Sequence, residues 1–408
     1  MSVQTNIEDF DGAIPDDEME SDTTLLAKIC INNLLSFGPA VQEVPLSSLN
    51  ILIGANGAGK SNLIEAILLL RSTPKDLEGT IRSGGGITEW MWKGTPKEAS
   101  TLIAHFVQKD GILLHQLALR ANDQRLEMAY EAITGMQVPS GASSHVFWYY
   151  NYHERKPTIL IDNKEYLVPL NDFNLNDSIL AQRKDPDRYP KLSYLIDQYN
   201  RIRVYREWSF GRNTIFRQPQ RADMRSDVLA EDFSNLGMFL NRLRRIPAAK
   251  NAILKRLRDI YEGVDDFDVI VEGGTVQVFF TEGDFTIPAT RLSDGTLRYL
   301  CLLAILCDPT PPPLICIEEP ELGLHPDIIP KIADLLVEAS TRTQLIVTTH
   351  SDILVDAMTE RPEAVLVCEK HDRQTRITRL NAADLAVWLE KYRLGELWTS
   401  GELGGTRW

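Results

Sequence analysis

The stretch "LNILIGANGAGKSNLIEA", residues 49–66, decides the fold. It starts with a short, mostly apolar run, continues through a turn with three glycines, and ends in good helix formers. The turn between Gly54 and Ser61 fits the spacing G-x-x-x-x-G-K-[ST], and the strand and helix that this motif requires lie on either side. The sequence therefore predicts a loop that binds the phosphates of a nucleotide at the start of a helix.

The roles of the loop residues follow from phosphate chemistry. Backbone amides point at the phosphates, and Gly54, Gly57 and Gly59 permit the dihedral angles that this requires. Lys60 is predicted to bind the β- and γ-phosphates of ATP, and Ser61 to ligate Mg²⁺. The predicted nucleotide-binding residues of this loop are Gly54, Ala55, Asn56, Gly57, Ala58, Gly59, Lys60, Ser61 and Asn62.

A second stretch, "LICIEEPELGLHP" (314–326), places two adjacent acids after four apolar residues of a strand. Adjacent residues of a strand point in opposite directions, so the two carboxylates can serve different purposes. We expect Glu318 to ligate Mg²⁺ and Glu319 to activate the water that attacks the γ-phosphate. Pro320 is expected to end the strand at this point.

Two further stretches carry candidate site residues. "QLIVTTHS" (344–351) is another apolar strand with a polar end, and His350 is predicted to contact the γ-phosphate because ligands bind at the carboxyl ends of parallel strands. In "LSDGTLRYLCLLAIL" (292–306), Ser293 is a predicted N-cap, and Asp294 and Gly295 follow at the start of an apolar helix that offers a second anion site. Two phosphate-binding helix starts in one chain indicate ATP held between two protomers.

These motifs, in this order, resemble the ABC-type ATPase heads of the SMC/RecF class. They are most similar to the predicted ATPases of the AAA_21 type, related to the overcoming-lysogenization-defect (OLD) nucleases. The resemblance implies Walker A at 54–61, a signature at 293–296, the Walker B pair at Glu318 and Glu319, a D-loop in "ELGLHP" and a switch histidine at His350.

The sequence departs from that pattern in several places. Glu318 stands where many members have Asp, His325 where transporter heads carry the D-loop Asp, and Leu35 where a basic residue is common. The glutamine that usually contacts Mg²⁺ in this class of ATPases has no clear equivalent in the sequence. The two candidates for it are Gln218 and Gln220.

The expected fold is an α/β P-loop NTPase with a bilobed ABC-ATPase head and a mixed central sheet. An acidic disordered tail is predicted at 1–22, an N-terminal lobe at 23–225 and a C-terminal lobe at 226–408. The first lobe should hold an antiparallel meander at about 99–170 and a small helical insertion at about 170–200. "FDVIVEGGTVQVFFTEGDFTIPA" is predicted to form a hairpin that turns at Gly273–Gly274.

Charge and composition exclude several classes. Residues 1–22 hold eight acids and no base, so the net charge of −14 falls to −6 on the rest of the chain. A chain that coats nucleic acid through net charge is therefore excluded, although "NRLRRIPAAKNAILKRLR" (241–258) is either a basic patch or the solvated face of a helix. Apolar runs are too short for a membrane span, which predicts no membrane partner and a cytoplasmic location. The five cysteines show no C-x-x-C spacing and are expected to be reduced core residues.

The resemblance implies an ATP-driven dimerisation switch, as a homodimer or higher even oligomer. A separate effector, such as a TOPRIM-type nuclease, would act in DNA maintenance or anti-phage defence. The alternative is a stand-alone DNA-binding repair ATPase, and a transporter subunit is a third possibility. The aromatic run "FWYYNY" (147–152) either stacks bases or fills a sheet, and Trp398 and Trp408 either dock a partner or pack internally.

Overall fold

The phosphate-loop motif predicts a strand before residue 54 and a helix after residue 59, and both are present in the computed structural model. The structure describes residues 23–405 apart from 96, 110, 138–144, 154–155, 163, 170, 172, 209–210, 212–213 and 215–216. The predicted disordered tail 1–22 and Trp408 therefore lie outside the described residues. The chain starts with strands β1 (Leu26–Asn32), β2 (Gln42–Pro45) and β3 (Leu49–Ile53), followed by helices α1 (Lys60–Ser72), α2 (Leu77–Ser83) and α3 (Ile87–Trp90).

An eight-stranded antiparallel sheet contains the predicted meander. Its strand order is β2-β1-β4-β5-β6-β7-β8-β9. The six strands added after α3 are β4 (Ser100–Gln108), β5 (Gly111–Asn122), β6 (Arg125–Gln137), β7 (His145–His153), β8 (Lys156–Ile161) and β9 (Lys164–Leu167). In β7 the aromatic run is buried only in its second half, because Tyr150 and Tyr152 are buried whereas the adjacent Phe147 and Trp148 are both exposed. Its second half therefore fills the sheet.

The central sheet is mixed and carries the three motif-bearing strands side by side. Its order is β10-β15-β16-β3-β17-β18, with only the β17–β18 pair antiparallel. The strands are β10 (Arg203–Tyr205), β15 (Leu314–Glu318), β16 (Gln344–Thr348), β17 (Val365–His371) and β18 (Gln374–Arg379). The carboxyl ends of β3, β15 and β16 consequently meet at one edge of the sheet. The sheet draws strands from both predicted lobes, so the boundary at 225/226 stays a prediction.

Helix α1 lies between these two sheets. Five of its large aliphatic side chains are fully buried, and they share one core with residues of the antiparallel sheet and with Leu52 and Ile346 of the central sheet. Each such side chain contributes about 2 kcal/mol when it leaves water. These five aliphatic side chains are Leu63, Ile64, Ile67, Leu69 and Leu70. This packing fixes the helix whose first turn carries Lys60 and Ser61.

A second core covers the opposite face of the central sheet. It is built mainly by α6 (Leu236–Leu243), α7 (Pro247–Leu257), α8 (Asp294–Leu306), α9 (Ile329–Ala339), α10 (Asp352–Asp356) and α12 (Leu394–Ser400). A small antiparallel sheet of β11 (Gln220–Arg221), β12 (Asp266–Glu272), β13 (Thr275–Glu282) and β14 (Phe285–Pro288) packs on it. The predicted hairpin turn at Gly273–Gly274 is confirmed by the pairing of β12 with β13. Helix α11 (Ala382–Leu389) precedes α12.

The helical insertion is shorter than predicted and consists of α4 (Ile179–Gln182) and α5 (Pro190–Arg201). A buried polar network docks it on the antiparallel sheet. The carboxylate of Glu131 accepts a bond from the hydroxyl of Ser178 and another, 2.9 Å long, from the amide of Ile179. His115 links the same carboxylate, 3.2 Å away, to the hydroxyl of Tyr199 at 2.8 Å. Among all described helices, none combines the length and apolar character that crossing a membrane requires.

Candidate nucleotide site

The loop between β3 and α1 has the left-handed backbone that its glycines predict. The φ angles of Gly57 and Gly59 are 75° and 106°. At residue 59 space is limiting as well, because a Cβ atom there would lie 2.1 Å from Oγ1 of Thr375. Glycine is therefore required at this position by both conformation and packing.

Lys60 points into the concave side of this loop. Its Nζ donates to the carbonyl oxygens of Gly54 at 2.8 Å and Ala55 at 3.1 Å. Burial lowers the pKa of Lys60, while the neighbouring carboxylates of Glu319, Glu321 and Glu318 oppose that shift. The ammonium is thus held by the backbone of the loop, and its contact with phosphate stays a prediction.

A polar network beneath the loop was not found from the sequence. The hydroxyl of Thr375 donates to the carbonyl of Ala58 at 2.8 Å and lies 2.6 Å from Oγ of Ser36. Because a hydroxyl has one proton, Ser36 must donate to Thr375. Ser36 in turn accepts a bond of 2.6 Å from the amide of Asn62. Strand β18, the chain after β1 and helix α1 are thereby joined around the loop.

Ser61 and Glu318 come together at the carboxyl ends of β3 and β15. Oγ of Ser61 donates to Oε2 of Glu318 at 3.3 Å. Oε1 of Glu318 is buried and has no hydrogen-bond partner among the described residues, and burial raises the pKa of this carboxyl. A hydroxyl and a carboxylate oxygen fit Mg²⁺, which uses one or two carboxylates together with phosphates and water. The described part of the chain has no cluster of three His, Cys, Asp or Glu residues that could hold a metal alone.

Glu319 leaves the strand in a left-handed conformation. Strand β15 ends at Glu318, and φ of Glu319 is 46°. The Glu319 amide donates to the Thr348 carbonyl at 3.0 Å, and its own carbonyl accepts a bond of 2.8 Å from the Arg298 guanidinium. Oε1 of Glu319 lies 3.5 Å from Nε2 of His350. The structure thus brings these two predicted catalytic side chains next to each other.

Glu321 was assigned only to the D-loop, but its side chain anchors the loop that carries the histidine. Oε1 of Glu321 accepts bonds from Oγ1 of Thr349 at 2.7 Å and from the backbone amide of His350 at 2.8 Å. Burial raises the pKa of this carboxyl. The Glu321 carboxylate therefore fixes the position of the backbone amide of His350.

The predicted second anion site lies at the start of α8. Ser293 caps this helix by accepting a bond of 3.1 Å from the amide of Thr296. Asp294 is paired with Arg217, and a Cβ at Gly295 would lie 3.6 Å from the carbonyl of Gly323 in the D-loop. Within the described ranges, no hydrogen bond or ion pair joins residues 293–295 to the loop 54–62. The two predicted phosphate-binding helix starts are not bonded to each other in one protomer.

The structure gives neither glutamine candidate a bond to the metal pair. Gln220 is buried in β11, where its amide bonds Gly237 and Phe233 of the α6 region, and Gln218 is exposed. Arg206, the residue after β10, lies next to the Walker B strand. It pairs with Glu65 of α1, and its charge opposes the rise in the pKa of Glu318.

The departures and the basic stretch also have definite places. His325 is exposed beside Asp327, and Leu35 has a φ of 54° with its amide bonded to the Trp90 carbonyl. In residues 241–258, four of the basic side chains pair with acids that lie elsewhere in the chain. The pairs are Arg242–Asp308, Arg244–Asp268, Lys250–Asp266 and Arg256–Glu338. The acids therefore offset four of the seven positive charges of this stretch.

Fold and site together define a P-loop ATPase of the ABC type with the head fold of SMC proteins. The structure is similar to the Smc head bound to the C-winged helix domain of ScpA, with a TM-score of 0.54, 14% identity, and coverage of 89% of this chain and 100% of the other. A second similar structure is a Smc head with an extended coiled coil, bound to the C-terminal domain of ScpA from Pyrococcus furiosus. Its TM-score is 0.54 and its identity 13%, and the match covers 90% of this chain and 99% of the other.

Residues 49–356 match the family AAA_21, described as "AAA domain, putative AbiEii toxin, Type IV TA system". The chain belongs to this family and is an ATPase. It is 23% identical over 391 residues to the Old nuclease of Escherichia phage P2, a match that covers 85% of this chain. The chain spans only 60% of the length of that relative.

Proposed function

We propose that the protein hydrolyses ATP with Mg²⁺ between two of its own copies, and that this cycle switches a separate effector. The observation that carries the proposal is the meeting of Ser61 with Glu318, and of Glu319 with His350, beside the loop that holds Lys60. These are the groups that phosphoryl transfer to water requires, since the reaction depends on positioning and charge neutralisation.

Each side chain has a defined task in this proposal. Lys60 exchanges its two carbonyl partners for β- and γ-phosphate oxygens of ATP. Ser61 and Glu318 would hold Mg²⁺, which supplies neutralisation of the charge on those oxygens. The Glu319 carboxylate accepts the proton of the attacking water, and His350 bonds the γ-phosphate.

A second copy completes the site. The start of α8 has backbone amides at the positive end of a helix dipole, and no bond ties residues 293–295 to the loop of the same chain in the described ranges. We propose that Ser293, Asp294 and Gly295 approach the γ-phosphate bound by the partner, so that ATP joins two protomers. Hydrolysis removes that phosphate and releases them.

The proposed effector is a nuclease, for instance of the TOPRIM type, acting in DNA maintenance or anti-phage defence. Support comes from the relative named Old nuclease and from the toxin description of the family. Direct DNA binding, the alternative function, receives less support because four of the seven basic residues in the stretch 241–258 are paired with acids.

The test measures phosphate release and sedimentation of the full chain with and without ATP and Mg²⁺. We expect hydrolysis and an ATP-dependent dimer, and both should vanish in Lys60→Ala. A matched control, Lys255→Ala, changes a lysine near the end of α7, away from the loop, and should behave as the wild type. Normal nucleotide binding by Lys60→Ala, or a wild-type chain that stays monomeric with ATP while hydrolysing it, would refute the proposal.

A further inference from the structure

Two side chains to which the sequence analysis assigned no role bond the backbone of the Walker B pair. Nε1 of Trp208 donates to the carbonyl of Glu318 at 2.7 Å. The guanidinium of Arg298 donates to the carbonyl of the next residue, Glu319, at 2.8 Å. Consecutive carbonyls are thus held by side chains from two separate parts of the chain.

Trp208 and Arg298 also contact each other. Cζ of Arg298 lies 4.4 Å from the centre of the Trp208 ring, a cation–π distance. The indole also packs against Phe233, with ring centres 5.4 Å apart. Arg298 is only 2% exposed, and burial lowers its pKa to about 10, so it keeps its charge at neutral pH. The pair is a packed and charged unit.

Glu319 depends on such support more than an ordinary residue does. A residue other than glycine with a backbone φ near 46° is in a sparsely populated conformation that persists only when its surroundings impose it. The backbone amide of Glu319 donates to Thr348, and its carbonyl accepts a bond from Arg298. Removing one of these bonds should let the peptide rotate, and the carboxylate would then move away from His350.

Arg298 belongs to the helix that starts at the proposed trans site. It is the fifth residue of α8, one turn after Ser293, Asp294 and Gly295, and the body of this helix is buried. A helix moves as a rigid element, so a shift of its first turn carries the guanidinium with it. The same first turn contacts the D-loop, because Gly295 lies beside Gly323.

We propose that Arg298 and Trp208 are positioning residues that link the start of α8 to Glu319 of the same protomer. Engagement of Ser293–Gly295 with the partner's triphosphate sets the direction of the Glu319 carboxylate through the bond from Arg298. Each protomer therefore hydrolyses its own ATP only when its helix start holds the ATP of the other. This inference rests on the proposed function and adds the coupling between its two sites.

The experiment compares Arg298→Ala, Arg298→Lys and Trp208→Phe in the full chain. We expect Arg298→Ala to lower kcat at least about tenfold, since small misplacements of a catalytic group have effects of this size, with KM for ATP within about twofold. Trp208→Phe keeps an aromatic ring but loses the N–H together with the five-membered ring of the indole, so it should fold and lose a few-fold in kcat. Arg298→Lys should recover part of the activity, because it keeps the charge.

Arg256→Ala is the matched control, since Arg256 pairs with Glu338 at 2.9 Å on the same face of the central sheet and touches neither motif. It should leave kcat unchanged. If Lys60→Ala behaves as expected but Arg298→Ala and Trp208→Phe both keep wild-type kcat, the positioning role is wrong and the proposed function stands. The role is equally refuted if Arg298→Ala raises KM as much as it lowers kcat. If Lys60→Ala retains hydrolysis, the proposed function itself fails.

Discussion

Replacing Glu319 by glutamine separates chemistry from structure at the proposed site. The amide has nearly the shape of the carboxylate, and the backbone bonds that hold residue 319 involve only its N–H and C=O groups. The left-handed conformation should therefore persist. What the variant loses is the ability to accept a proton from water.

The structure allows the effect of Glu319→Gln on stability to be compared with its effect on the rate of hydrolysis. Oε1 of Glu319 is 3.5 Å from Nε2 of His350, and both side chains are about one third exposed, at 39% and 33%. An exposed pair of this kind contributes at most about 1 kcal/mol to stability. Loss of a positioned base lowers the rate at least about a hundredfold, a rise in the barrier of about 2.7 kcal/mol. The barrier should thus change much more than the free energy of unfolding.

The assay is steady-state phosphate release, with binding of a fluorescent ATP analogue and thermal unfolding measured on the same samples. Glu319→Gln should bind nucleotide normally, melt within about 4 °C of the wild type, and accumulate as ATP-bound dimers. Glu338→Gln, which removes the charge of a half-exposed glutamate on α9, is the control and should turn over normally. Unchanged turnover in Glu319→Gln would remove this residue from catalysis, whereas a large fall in melting temperature would show that its role is structural.

Three further predictions concern the loop, the metal and the thiols. Thr375→Val removes one buried and one partly buried hydrogen bond of about 1 kcal/mol each, so the free energy of unfolding should fall by up to about 2 kcal/mol and KM for ATP should rise up to about thirtyfold; unchanged KM would show that the loop needs no support from β18. Ser61→Ala should raise the Mg²⁺ concentration for half-maximal turnover at least about tenfold without altering the melting temperature, and an unshifted Mg²⁺ titration would contradict the ligand assignment. Burial raises the pKa of all five thiols, to about 12 for three of them, so an aromatic disulfide reagent at pH 8 should modify them only after unfolding, and rapid reaction in the native protein would disprove their burial. The thiols at about 12 are those of Cys30, Cys307 and Cys368.

The parts of this site that could be predicted are the ones encoded by neighbouring residues. The loop from Gly54 to Ser61 is predicted by the spacing of its glycines, lysine and serine. The strands that end at Glu318 and near His350 are predicted by their short apolar runs. Parallel pairing of β15, β16 and β3 then brings their ends together without further information. Local patterns thus gave the fold class and the candidate side chains.

The supporting contacts could not be predicted, because they join residues that are far apart in the chain. Thr375 reaches Ala58 over 317 positions, and Trp208 reaches Glu318 over 110. No periodicity or spacing marks such a pair in a single sequence. The basic stretch 241–258 was ambiguous for the same reason, because the acids that neutralise it come from other elements.

The place of β3 in the central sheet has a consequence for biosynthesis. This strand pairs with β16 on one side and with β17 on the other, and both are made long after it. On the ribosome, the strand that leads into the phosphate loop therefore lacks both of its hydrogen-bonded partner strands until residues 344–348 and 365–367 have emerged. Contacts so distant in sequence close slowly. We expect that nascent chains acquire the ability to bind nucleotide only in the last stage of translation, when both halves of the enzyme are present to control it.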